Sequence, residues 1–213
     1  MKRSGFTMLE VLIAVVIVAL LLLALNTFIF SMGELWGRGS EVRLFDQHVR
    51  NVTRFMQQEL ERAALPPAGR SGQAAIALQE VRPQNGATEQ MLTFELSEGC
   101  RLINWPGHAL PDVVCSLAVR DREGLLLLWH SKLEKNFTTD APRETVITPL
   151  VTAMSYDYYD TDFKRWQTET TLRNDASGKP MVPQRLRFTF TYDKMTRETI
   201  VTLPNAAEGL PQF

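Results

Sequence analysis

Ser4-Gly5-Phe6-Thr7-Met8-Leu9-Glu10 opens a stretch that carries no further charge until Glu34. From residue 11 to residue 25 every side chain is apolar, and the continuation to Gly33 adds only Asn26, Thr27 and Ser31 as polar interruptions. As a helix, residues 11–33 extend roughly 35 Å at about 1.5 Å per residue, enough to cross the hydrocarbon core of a bilayer. Lys2 and Arg3 precede the run, and charges of both signs follow it from Glu34 and Arg38 onward. That asymmetry predicts a cytoplasmic N-terminus with the remainder facing outward. An ordinary secretory signal would explain the basic start and the apolar run, but no small-x-small site closes the run and a carboxylate at its head is foreign to such signals. A plain anchor gives no reason for Gly5-Phe6 or for Glu10, and the length disfavours a buried core helix. Glu10 discriminates, because an ionisable group beside spanning sequence costs on the order of 2–3 kcal/mol and so calls for a partner.

A short basic leader, the Gly5-Phe6 junction and an acidic residue at the fifth place after it resemble the type IV prepilin signal. Pilins and the pseudopilins of type II secretion share that signal. The resemblance implies that residues 1–5 are a leader, that a prepilin peptidase cuts between Gly5 and Phe6, and that Phe6 is then N-methylated. It also gives Glu10 a role in assembly. The new α-amino group of Phe6 would be a cation four residues from Glu10, in the same or a neighbouring subunit, and the pair would set the axial stagger of packed helices. A membrane and assembly helix over 6–33 is the expectation.

Beyond Gly33, Gly37 and Gly39 the apolar residues change pattern. Val42, Phe45, Val49, Val52, Met56 and Leu60 recur at spacings of three and four, an amphipathic stripe with Arg43, Asp46, Arg50, Arg54, Glu61 and Arg62 opposite. Pro66-Pro67 ends it. The reading is one long N-terminal helix over 6–65, with a membrane half, an amphipathic continuation over 34–65 and a bend point at the glycines. Residues 66–213 read as a β-rich globular domain. Strands are expected at 75–81 and 91–96 around a turn at 83–86, then at 117–120 and 124–130 around Asp121-Arg122-Glu123-Gly124, and at 145–149, 150–159, 185–192 and 198–203. In 150–159, Val151, Ala153, Ser155 and Asp157 alternate against Thr152, Met154, Tyr156 and Tyr158. One helix followed by many strands indicates an α+β fold, the helix packed on a mainly antiparallel sheet, which is also what the pilin resemblance implies.

The net charge of −1, from 23 basic and 24 acidic residues, provides no basic surplus for nucleic-acid binding. Cys100 and Cys115 would lie in an oxidising compartment, where a disulfide closing that loop contributes roughly 3 kcal/mol. A zinc site is the alternative, but two cysteines with only His48, His108 and His130 available match no common zinc spacing.

The order of features in the second half points further. Residues 149–160 end in Tyr158-Tyr159-Asp160, Trp166 follows, and Val182-Pro183 introduces the apolar strand Arg185-Leu186-Arg187-Phe188-Thr189-Phe190. Together with Phe55-Met56-Gln57-Gln58-Glu59-Leu60 this resembles the J-type minor pseudopilin of type II secretion. The chain departs from that pattern in having Val182-Pro183 where a Leu-Pro pair is usual, and in a longer 168–181 segment. The resemblance implies a place at the pseudopilus tip, with I-, K- and H-type minor pseudopilins, the major pseudopilin and an inner-membrane assembly platform as partners. The alternative is a W-type minor pilin of a type IV pilus, serving assembly, adhesion or DNA uptake.

Asp157, Asp160 and Asp162 cluster within six residues and are weak calcium candidates, since that ion prefers six to eight oxygens. No G-x-S-x-G elbow, phosphate loop or H-E-x-x-H occurs, so no enzyme and no cofactor is expected. Trp36 stands where an aromatic membrane-interface anchor is expected. Trp105, Trp129 and Trp166 read as core or interface anchors.

Overall fold

The computed structural model describes residues 7–63, 76–84, 86–103, 108–137, 139–175 and 178–204, with the side chains of 34–38 outside that description. A 56-residue helix, α1 (Met8–Ala63), is followed by nine strands. The chain divides into two compact units, Met1–Asp46 and Gln47–Phe213.

In the first unit the helical assignment runs without interruption through Gly33, Gly37 and Gly39. Every side chain from Thr7 to Gly33 is exposed, including Leu21 at 65 % and Phe30 at 76 %. The apolar residues surround the helix on all sides, which is the pattern of a helix solvated by lipid rather than by one protein face. Met8–Gly33 is long and apolar enough to cross a membrane. Its interruptions stay local: the Thr27 hydroxyl donates to the Ala24 carbonyl at 2.8 Å, satisfying itself within the helix.

In the second unit the same helix turns amphipathic. Val49, Val52, Met56 and Leu60 are buried, while Arg50, Arg54 and Glu61 are exposed, as the stripe predicts. The strands form two antiparallel sheets. The first is a five-stranded meander of β1 (Ile76–Val81), β2 (Glu89–Leu96), β3 (Val113–Arg120), β4 (Gly124–Ser131) and β5 (Arg143–Thr148) in chain order. The second has the order β7-β6-β8-β9, from β6 (Val151–Asp160), β7 (Arg165–Glu169), β8 (Arg185–Tyr192) and β9 (Met195–Thr202). The α+β class and the antiparallel pairing are as expected, but the strands divide between two sheets.

The core follows from strand patterning. Leu125, Leu126, Leu127 and Leu128 of β4 are all buried, so this strand is covered on both faces, as its unbroken apolar run demands. Met91, Ala118, Leu126 and Leu128 form a cluster on one side. Contacts from β6 reach both β3 and β4. In β8, Leu186, Phe188 and Phe190 are fully buried, while Tyr192, which alternation puts on the same face, is 43 % exposed at the strand end. The β3–β4 hairpin closes over Asp121-Arg122-Glu123, with Gly124 at φ 82°; a Cβ there would lie 2.2 Å from the Thr148 carbonyl oxygen, so only glycine fits.

Helix α1 also covers an edge. The Gln57 side chain accepts from the Thr202 N–H at 3.0 Å and donates to the Thr202 carbonyl at 3.2 Å, taking the place of a neighbouring strand beside β9. The Thr53 and Thr199 hydroxyls pair at 3.0 Å, and His48 Nε2 lies 2.8 Å from the Thr148 hydroxyl.

Two local expectations change. A bulge between Val151 and Ala153 moves Val151 onto the buried face with Met154 and Tyr156, opposite its alternation with Ala153. Strand β7, for which the sequence gives no expectation, pairs with β6 and runs from Arg165 into the longer 168–181 segment.

Candidate assembly segment and the cysteine and aspartate clusters

Glu10 is held at the first turn of α1. Thr7 stands immediately before the helix, and its carbonyl accepts from the Glu10 and Val11 N–H groups at 3.0 and 3.3 Å. The Glu10 Oε2 accepts from the Thr7 N–H and from the Thr7 hydroxyl, each at 3.0 Å, while the Glu10 N–H reaches the Thr7 hydroxyl oxygen at 3.4 Å. This is a reciprocal capping box: two otherwise orphaned donors of the helix start are satisfied by the T-x-x-E pair. The negative carboxylate also lies at the positive end of the helix dipole. The spacing was visible in the sequence as Thr7-Met8-Leu9-Glu10, and the local role of Thr7 is what a reading centred on charge alone overlooks. Both side chains remain exposed. Gly5 and Phe6, the predicted cleavage and methylation residues, lie outside the described residues, as do Pro66-Pro67, Trp105 and the Trp36 side chain.

Cys100 and Cys115 are both fully buried and both free thiols, so the bridge expected between them is not formed in the structure. Burial pushes the Cys100 thiol up to about 11 and raises Cys115 well above its ordinary value. Both are therefore neutral and unreactive at pH 7 as they stand. Glu59 lies beside Cys100. It is 4 % exposed, its Oε1 receives the Arg62 guanidinium at 3.3 Å, and its Oε2 has no hydrogen-bond partner among the described residues. Burial raises the Glu59 carboxyl pKa, with Arg62 opposing the shift. The apolar context of Leu60 and Met56 gave no warning of a buried carboxylate at this position.

The three aspartates are not gathered into a cation site. Asp157 is 1 % exposed; its Oδ2 meets Arg187 Nη2 at 3.0 Å and its Oδ1 accepts from the Thr168 hydroxyl at 2.7 Å. The Asp160 Oδ1 accepts the backbone N–H groups of Asp162 and Phe163 at 3.0 and 3.1 Å, and its Oδ2 accepts from Gln167 at 2.7 Å. These oxygens fasten the β6–β7 hairpin and an ion pair with β8. Among the described residues no group of three or more His, Cys, Asp and Glu could hold a metal ion. The Arg187 side chain completing the Asp157 pair is 30 residues away, a partnership with no signature in local spacing.

Trp129 and Trp166 are both tied into the fold. The Trp129 Nε1–H donates to the Thr145 hydroxyl at 3.0 Å and the ring carries Arg143 at 5.0 Å. Trp166 packs beside Tyr159, with centroids 5.1 Å apart. His130 stands edge-on to Phe137 at 5.6 Å, and burial lowers its pKa.

Residues 1–26 match the prokaryotic N-terminal methylation motif. No curated protein matches the chain significantly. The motif, the spanning helix and the α+β architecture together support a type IV pilin-like protein processed by prepilin peptidase and assembled with other pilins.

Proposed function

We propose that this chain is a minor pseudopilin of a type II secretion system, built into the pseudopilus tip to prime filament assembly and support export across the outer membrane. The observation that carries the pilin-like part is the methylation motif over residues 1–26, with Glu10 fixed at the head of an exposed apolar helix. The J-type assignment rests on the sequence order of Tyr158-Tyr159-Asp160, Trp166 and Val182-Pro183 ahead of β8. In this reading residues 1–5 are removed, Phe6 is methylated, α1 crosses the inner membrane once with its N-terminus cytoplasmic, and the second unit is periplasmic. The role is structural assembly, without catalysis.

Glu10 acts through its charge. Its carboxylate has lone pairs to spare beyond the Thr7 contacts, and a neighbouring subunit's α-amino group would neutralise it inside the filament, where an unpaired carboxylate is costly. Partners are the I-, K- and H-type minor pseudopilins, the major pseudopilin and the assembly platform. Crosslinking of the tagged full-length chain in its native cells, with mass spectrometry of the products, tests this. Small pseudopilins and secretion-platform proteins are the expected products. Pilus subunits with a retraction motor would instead make it a W-type minor pilin.

A further inference from the structure

We draw no further inference here: the strongest candidate, the buried cluster of Glu59, Cys100 and Cys115 that borders a cavity at the last turns of α1, carries nothing because the coupling of its three groups rests on their raised pKa values alone and nothing in the structure shows what enters that cavity.

Discussion

One helix, α1, is written in two styles. Over Met8–Gly33 its apolar side chains surround the axis and none is buried. Over its last turns the apolar residues shrink to a stripe, and Val49, Val52, Met56 and Leu60 are almost wholly covered. Secondary structure is the same in both; what differs is the solvent each is made for. Backbone hydrogen bonds satisfy the first stretch from within, so it can enter lipid as it stands. The second needs a protein surface, and β9 supplies it through Thr199 and Thr202. Leucine at position 21 and leucine at position 60 therefore carry different information although the residue type is the same.

The largest expected effect tests what Glu10 does in the first stretch. Glu10→Ala removes both the capping contact and the charge, and should lower incorporation into filaments by more than about tenfold through loss of the charge pair with a neighbouring subunit. Glu10→Gln keeps a side chain able to cap Thr7 and removes only the charge. If charge pairing between subunits is the role, Gln should fail as Ala does, measured by filament incorporation in cells. Recovery of incorporation with Gln would reduce Glu10 to a helix cap.

Next come the two leucines. Leu60→Ala should cost about 2–5 kcal/mol in chemical denaturation of the second unit, through lost burial and the cavity left behind. Leu21→Ala should change that same transition by less than about 0.5 kcal/mol, as an exposed position does. Similar losses at both positions would erase the distinction between the two stretches.

Smaller still is the edge contact. Gln57→Ala removes the two hydrogen bonds to Thr202 and should cost about 0.5–1.5 kcal/mol. Faster amide exchange should follow at β9, whose edge would then be open.

The last predicted change is of similar size and opposite sign. Glu59 is a buried carboxyl whose pKa burial raises. A folded-state pKa above the unfolded one contributes stability below the ordinary carboxylate range, and that contribution is lost as pH rises through the raised value. At neutral pH the ionised, desolvated group is therefore less favourable in the fold than its protonated form. Glu59→Gln should raise stability by about 1 kcal/mol at pH 7 and flatten its pH dependence between weakly acidic and neutral pH. A lower melting temperature at pH 7 would show that the Arg62 pair outweighs burial.

Periodic features were legible in the sequence. The uncharged run before Gly33 is legible by its length, and the stripe from Val49 to Leu60 and strands such as Arg185-Leu186-Arg187-Phe188-Thr189-Phe190 repeat a simple spacing that burial then enforces. The T-x-x-E cap at Thr7 and Glu10 was equally local and needed only to be read as chemistry. What escaped depends on residues distant in the chain. Strand β7, Arg165-Trp166-Gln167-Thr168-Glu169, has no apolar alternation because its ladder is set by β6 and its outer side by Arg185. Asp157 reads as a calcium candidate beside Asp160, yet Arg187 claims it. The bulge at Val151 shifts one side chain across the sheet with no turn residue to announce it. The free, buried state of Cys100 and Cys115 lies beyond what loop length and compartment can specify.

The most direct test of the assembly reading is the intact mass of the protein recovered from membranes of its native cells, with sequencing of its N-terminal peptide. The predicted species begins at Phe6, lacks residues 1–5 and carries one added methyl group on its α-amino nitrogen. A chain that keeps its leader, or one cut after the apolar run, would contradict it.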